Sequence, residues 1–420
     1  MKLPLHSRTL KFSLIMLSGL VAIAFSAFAA VDFVAAHYAD RSDLESLQRA
    51  VRLQPTNADN HYRLGRYYAL VEQSPEQASQ AYLSAIKLNP NSARYWLELA
   101  GAYQWLGKAE AQKEAVDHAV ATEPKTPQVA WEAANYYLIQ GENDRALHEF
   151  SVVLGNDPYL PPAALQFCWR IRPDIDVLLR DVVPAQVNVY SPLLDLMISK
   201  GETDAAAKVW DRLAQLHQPI EFRHLSSYIA YLVTQKQPDQ ARKVWQQAAP
   251  LAGITAYLPS SDNLLVNGDF NLDVLNGGFD WIYRKSHDVE LALDPGQHQN
   301  GRRSLRFIFD THGIEDAGIR QVVSVQPNTV YRFSGYFKAD NLEGVGGPRF
   351  VVQDSYSQDF LFSSDDFTNA DYWRQVNGKF TTGPATKLIV VRVQRNPPGS
   401  PIKGKVWIDD LRIVQDHGKA

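Results

Sequence analysis

The spacing of apolar residues along the chain changes twice. An unbroken uncharged run fills Phe12 to Val31, a period of three to four residues then holds from Arg41 to about Pro250, and from about Asn263 the alternation shortens to every second residue. These textures predict one long apolar helix, a series of amphipathic helices and a set of half-buried strands, in that order. The expected fold class is therefore multidomain, α then β. The expected boundaries are an N-terminal tail over 1–11, an apolar span over 12–34, helical repeats over 41–251, a linker over 252–262 and a β-sandwich over 263–416.

Within the helical part a proline closes each of several similar units, and Pro55, Pro90, Pro124 and Pro158 stand 35, 34 and 34 residues apart. One unit carries Leu64-Gly65 and Tyr68, then Ala78, Tyr82 and Ala85. The next carries Trp96, Leu99, Ala100 and Tyr103, a turn at Gly107, then Val116 and Ala119. The third carries Ala133, Ala134 and Tyr137, a turn at Gly141, then Ala146 and Phe150. Small residues allow close helix approach, glycine tolerates the positive φ of the turn, and proline ends the second helix. In these positions the units resemble tetratricopeptide repeats, in which paired helices bury their apolar faces only by stacking on a neighbour. Arg41 to Leu53 reads as the second half of a truncated first repeat. After Pro158 the period blurs, and two further units end near Pro250, so about six units are expected to form an α-solenoid. The resemblance implies a protein partner docked in the groove. Most aromatics occupy repeat positions and are expected to pack between helices; Tyr67, Trp105 and Tyr136 fall off those positions and are the candidate partner contacts.

The apolar run is 20 residues long, enough for a helix to cross the roughly 30 Å of a bilayer core. Lys2, Arg8 and Lys11 precede it and Asp32 follows, which by the positive-inside rule leaves the N-terminus in the cytoplasm and the bulk outside. The expectation is a single-pass transmembrane helix in a bacterial cytoplasmic membrane, with the rest of the chain in the periplasm or beyond. The alternative is a signal peptide cut after Ala27-Phe28-Ala29, with secretion of the remainder.

Candidate strands cover Asn263–Val266, Val289–Leu293, Ser304–Phe309, Ile319–Val325, Thr329–Ala339, Arg349–Asp354, Trp373–Thr381, Lys387–Arg395 and Lys405–Val414. With no helix pattern among them they predict a sandwich. In Thr329–Ala339 the alternation puts Tyr331, Phe333 and Phe337 inward and Arg332, Ser334, Tyr336 and Lys338 outward. The run Asn263 to Phe270, Phe279-Asp280-Trp281, Gly301 to Leu305, Gln321 to Val325, Trp373 to Val376 and Val406 to Leu411 resembles the jelly-roll carbohydrate-binding modules of xylanases and glucanases, in the galactose-binding-like group. That resemblance implies contact with a polysaccharide. Sugar rings stack on exposed aromatics while polar groups take the hydroxyls, so the candidates are Tyr283, Arg332, Tyr336, Lys338, Tyr356, Phe360 and Phe362, with Trp281 and Trp373 assigned to the core. Alternation places Asp409 beside Trp407, Leu411 and Ile413 on the core side, where a carboxylate needs a partner. In the resembling modules the equivalent aspartate helps hold a structural calcium. Here that implies Asp409 with Asn271, Asp269 or Asp273; the alternative is Asp409 bonded to backbone N–H groups.

The formal net charge is −4 with both signs interspersed, which excludes the basic footprint of a nucleic-acid binder. The lone Cys168 lies in an apolar segment and reads as a small buried hydrophobe. No phosphate loop, G-x-S-x-G or H-E-x-x-H occurs, and the Asp409-Asp410 pair on a terminal strand is ill placed to flank a glycosidic bond, so the expectation is a non-catalytic binding protein. The leading reading is an envelope scaffold in surface polysaccharide export or assembly, whose solenoid docks a protein and whose sandwich contacts a glycan. The rival is a structural interaction protein whose sandwich binds no sugar, and a glycan-active enzyme is a further alternative.

Overall fold

The computed structural model describes residues 8–284 and 287–417; residues 1–7 of the expected cytoplasmic tail, Lys2 among them, lie outside the described residues. Its elements are 14 helices followed by two antiparallel sheets of five strands each. The chain divides into two compact units, residues 1–184 and 185–420.

The first unit opens with α1 (Arg8–Ala39), whose portion Lys11–Ala39 holds an 18-residue window of mean hydropathy 2.4 and is long and apolar enough to cross a membrane. Nothing in Val31 to Tyr38 breaks a helix, so α1 continues past the apolar run and packs on α2 (Leu44–Leu53) through buried Ala35 and Ala39. Asp32 accepts a hydrogen bond from the Gln54 amide, and Arg63 Nη1 donates to the Ala39 carbonyl at 3.1 Å. The first repeat is thus complete, not truncated: the end of the apolar helix supplies its first helix. Asp43 then caps α2 by accepting the Ser46 N–H at 2.9 Å.

Helix pairs follow at the expected period: α3 (Ala58–Leu70) with α4 (Pro75–Leu88), α5 (Ala93–Trp105) with α6 (Ala109–Thr122), and α7 (Pro127–Ile139) with α8 (Asn143–Asn156). Gly107 and Gly141 turn with φ of +68° and +76°, while Gln73 takes the same left-handed turn at +51°. Gly65 of α3 lies flat against the Tyr82 ring of α4; a Cβ there would fall 2.6 Å from Tyr82 Cε1. Gly65→Val is therefore expected to cost about 1–3 kcal/mol, read as a lower denaturant midpoint, despite the better helix propensity of valine. α9 (Pro161–Ile171) and the short α10 (Ile175–Val177), continued as a π-turn through Val182, close the unit. Cys168 is fully buried there and burial pushes its thiol up to about 12, so it packs as a hydrophobe.

The second unit begins with two more helix pairs, α11 (Val187–Lys200) with α12 (Thr203–Gln215) and α13 (Phe222–Thr234) with α14 (Pro238–Ala248). These pack with the sandwich as one body. Trp245 of α14 is buried between Phe222 and Phe279, with ring centroids 6.3 and 5.9 Å away, and its Nε1–H donates to the Tyr257 carbonyl at 3.0 Å. The Tyr257 hydroxyl donates in turn to the Asp273 carbonyl at 2.8 Å. Lys387 pairs with Asp239 of α14 at 2.6 Å.

The ten strands are β1 (Ile282–Tyr283), β2 (Val289–Asp294), β3 (Ser304–Gly313), β4 (Asp316–Ser324), β5 (Val330–Gly344), β6 (Gly347–Asp354), β7 (Phe360–Ser363), β8 (Ala370–Thr381), β9 (Leu388–Asn396) and β10 (Pro401–Gln415). One sheet has the order β1-β4-β9-β6-β7 and the other β2-β3-β10-β5-β8. Inward residues of both fill a common core in which Phe333 meets Phe350 at 5.2 Å and Trp281 meets Phe270 at 5.3 Å. Trp373, expected in the core, is instead partly exposed on β8.

Asn263–Val266 is not a strand. The side chain of buried Gln321 does the work of a neighbouring strand there, accepting the Val266 N–H at 2.9 Å and donating to the Val266 carbonyl at 2.7 Å. β10 also departs from simple alternation. A bulge between Asp409 and Arg412, with Asp410 at φ +48°, reverses the faces, so Leu411 and Ile413 point into the core while Asp409 sits opposite Tyr336 on the outer face.

Candidate functional site

The site forms on the outer face of the first sheet, where β1, β4 and β9 meet. In β4, Ala317, Ile319, Gln321 and Val323 are buried in the core, so Arg320, Val322 and Ser324 face outward; in β9, Ile389, Val391 and Val393 are buried and Val390, Arg392 and Gln394 face outward. The register sets Arg320 directly opposite Arg392 on β9 and opposite Ile282 on β1. Gly318, at φ +83°, permits a close return of the chain: Arg284 N–H donates to its carbonyl at 2.8 Å, and a Cβ at Gly318 would meet the Arg284 carbonyl oxygen at 2.9 Å.

These residues line an open cleft of about 470 Å³ with Asn276, Tyr283 and Asp316. Asp316 Oδ2 lies 3.5 Å from Arg392 Nη1 and its Oδ1 accepts the Gly318 N–H at 2.7 Å. Burial pushes the Asp316 carboxyl up, against the pull of that N–H and of Arg392 and Arg320. Arg392 also donates to the Gln353 amide oxygen. Two guanidinium groups, Arg392 and Arg320, thus act on one carboxylate in a cleft that Arg284 also lines, an arrangement suited to holding anionic or hydroxyl-rich ligands.

The sugar contacts expected from sequence are dispersed. Tyr283 borders this cleft, but it stands opposite buried Ile319 and packs against the core, and its N–H donates to Asn276 Oδ1 at 2.9 Å. Arg332, Tyr336 and Lys338 stand on the outer face of the other sheet, where Arg332 and Lys379 both approach Asp416, at 3.8 and 2.8 Å, and Lys338 donates to Gln297 at 2.9 Å. A second cleft of about 420 Å³ runs beside Arg332, bounded by Ser334, Gln375, Asn377 and Lys379. Phe362 packs on Phe333 at 5.3 Å and belongs to the edge of the core, whereas Phe360 is exposed on β7. Tyr356 is held by α13: its hydroxyl donates to the Val233 carbonyl at 3.2 Å and Lys236 lies over its ring. Arg284, Asp316, Arg320 and Arg392 were not singled out from the sequence; the outward positions of β4 and β9 carry the signal, but only their pairing brings the charges together.

Of the expected calcium ligands, Asp409 Oδ2 accepts N–H groups from Gln299 at 2.6 Å and Asn300 at 2.9 Å, and Oδ1 accepts that of Asp410 at 2.7 Å. Asn271 Oδ1 accepts the Arg302 N–H at 2.6 Å, and its amide donates to Asp269 at 2.8 Å. The Asp273 carboxylate pairs with Arg303 at 2.8 Å. Each of these side-chain oxygens thus has a hydrogen-bond or ion-pair partner within the protein, and among the described residues no group of three His, Cys, Asp or Glu side chains gathers around a common point. The hydrogen-bonded alternative describes this arrangement.

Of the three expected groove contacts, Tyr67 and Tyr136 occupy equivalent repeat positions and are partly buried against Tyr68 and Tyr137. Trp105 does not join them. As the last residue of α5 it matches Leu70 and Ile139, the last residues of α3 and α7, and the three are 65%, 66% and 77% exposed. This row was legible in the spacing of 35 and 34 residues but not recognised from it.

A β-sandwich of carbohydrate-binding-module type following tetratricopeptide-like helix pairs is the class these features define. Residues 262–400 match the family model described as "Carbohydrate binding domain". Among solved structures, the CBM22-1 xylan-binding domain of Paenibacillus barcinonensis Xyn10C is similar, with 19% identity over 38% of this chain and 99% of that one and a TM-score of 0.26. MamA is similar at 17% identity over 41% of this chain and 85% of that one, TM-score 0.24. Pseudomonas aeruginosa pilF is similar at 18% identity over 54% and 93%, TM-score 0.25. No curated protein sequence matches the chain.

Proposed function

We propose that this is a non-catalytic binding protein of a bacterial cell envelope, anchored by α1, whose helix pairs dock a protein partner and whose sandwich contacts a polysaccharide during its export or assembly at the surface. The observation that carries the glycan half is the match of residues 262–400 to a carbohydrate-binding domain, together with an open polar cleft beside Tyr283 on that domain. The protein-docking half rests on the helix pairs and their exposed row of Leu70, Trp105 and Ile139. The anchor rests on the length and apolarity of Lys11–Ala39.

The rival reading, a sandwich serving only structure, draws support from Tyr356 and Lys387, which spend their polar groups on α13 and α14. A glycan array probed with the full chain in detergent separates the two. Binding to at least one polysaccharide is the expected result; a folded chain that retains none, across neutral and charged glycans, leaves the structural reading standing.

A further inference from the structure

We propose that the cleft between β1, β4 and β9 receives a carboxylate-bearing sugar, a uronate unit of an acidic polysaccharide, with Arg320 and Arg392 as its principal contacts. This inference rests on the glycan-binding reading of the sandwich and specifies its ligand class.

Arg320 and Arg392 are direct cross-strand partners on an outer face, and like charges in that relation destabilise a sheet. Arg284, whose backbone is bonded to Gly318, also lines the same cleft. Among the described residues the one carboxylate lining it is Asp316, which touches Arg392 at 3.5 Å and acts on Arg320 without an ion-pair contact. Among the described residues neither Arg320 nor Arg284 has a side-chain hydrogen bond or ion pair. A sheet built for stability alone gains nothing from this arrangement, whereas an incoming anion relieves it.

A guanidinium presents a planar fork that matches a carboxylate with two parallel hydrogen bonds, so a fixed anionic substituent suits these residues better than a neutral hydroxyl does. Ile282, opposite Arg320 on the same outer face, supplies an apolar wall beside the charges, which a sugar ring needs for its C–H face. A cleft of about 470 Å³ lies within the usual range for small-ligand sites. Neutral polysaccharides satisfy the wall but leave the arginines unneutralised, so discrimination in favour of acidic ones follows.

The test is the full chain in detergent on an array holding neutral, uronate-bearing and sulfate-bearing polysaccharides, repeated with Arg320→Gln and Arg320→Lys. Wild-type protein is expected to retain uronate-bearing glycans, with affinity that falls as salt is raised. Arg320→Gln should weaken that binding about tenfold or more, since a hydrogen bond to a charged group is lost, and Arg320→Lys should fall between. The melting temperature of Arg320→Gln should equal or exceed that of wild type, because the variant removes a like-charge pair, so lost binding is not lost folding. Binding confined to neutral or sulfated glycans, or uronate binding untouched by Arg320→Gln, overturns the inference and leaves the glycan-binding reading intact. Retention of no glycan at all overturns both.

Discussion

Trp245→Ala is expected to cost about 3–5 kcal/mol in the second compact unit, the usual range for truncating a buried tryptophan. The side chain is 1% exposed, its ring edges meet Phe222 of α13 and Phe279 of the sandwich, and its Nε1–H holds the Tyr257 carbonyl. Gly278 packs so closely on the indole that a Cβ at that glycine would sit 2.1 Å from Trp245 Cζ3. Removing the indole therefore opens a cavity and frees the segment joining α14 to the sandwich in one step. Trp210→Ala is the control. That residue is also fully buried, but it packs on Tyr228 within the helix pairs, 5.7 Å away, and not on the sandwich. Both variants should lower the denaturant midpoint. Only Trp245→Ala should speed proteolysis within residues 252–262 under native conditions, where local opening sets the cleavage rate. Equal cleavage in the two variants would mean that the helix pairs and the sandwich are not coupled through Trp245.

Local signals carried most of the architecture. The 34-residue spacing gave the helix pairs, Gly107, Gly141 and Gly201 take the positive φ their turns require, and alternation separated Tyr331, Phe333 and Phe337 from Arg332, Tyr336 and Lys338. What escaped the sequence was mostly non-local. Arg320 and Arg392 are 72 residues apart in number and meet only because β4 pairs with β9, a neighbour that no local pattern names. Tyr356 looked like a free loop aromatic because its partner, the Val233 carbonyl, lies 123 residues earlier. Gln321 read as an interior strand position, and nothing nearby indicated that its amide would replace a strand along Val266. The face of Asp409 was lost to a single bulge, since one extra residue reverses every side chain beyond it. The first helix of the first repeat was hidden in plain view: the apolar run and the repeat were read as separate textures, although α1 is continuous through both.

Asp280 and Asp409 predict how stability responds to pH. Both are completely buried, and burial pushes each carboxyl up to about 6 from an ordinary 3.8. For Asp409 three backbone N–H groups oppose the shift and the charge of Asp410 adds to it. Asp280 Oδ2 accepts the Leu275 N–H at 2.7 Å, and the Trp281 N–H and the Asn267 amide also oppose the shift. A carboxyl raised in the folded state binds its proton more tightly there than in the unfolded chain. Its contribution is therefore fully present below about pH 4 and is lost as pH rises through about 6. A shift of this size corresponds to roughly 3 kcal/mol for each group at neutral pH. Carboxyls held low, such as Asp294 and Asp354, act with the opposite sign, so the informative quantity is the difference between variant and wild type. Asp280→Asn cannot ionise and keeps an oxygen for the Leu275 N–H. It should match wild type or fall slightly below it at pH 4.5, and exceed it at pH 7.5 by about 1–3 kcal/mol. Asp409→Asn should gain less, because an amide offers one acceptor oxygen where Gln299, Asn300 and Asp410 now share two. Urea unfolding at the two pH values reads both effects. If Asp280→Asn shows the same difference from wild type at pH 4.5 and 7.5, the carboxyl does not titrate in this range and its burial has been offset by contacts other than those described.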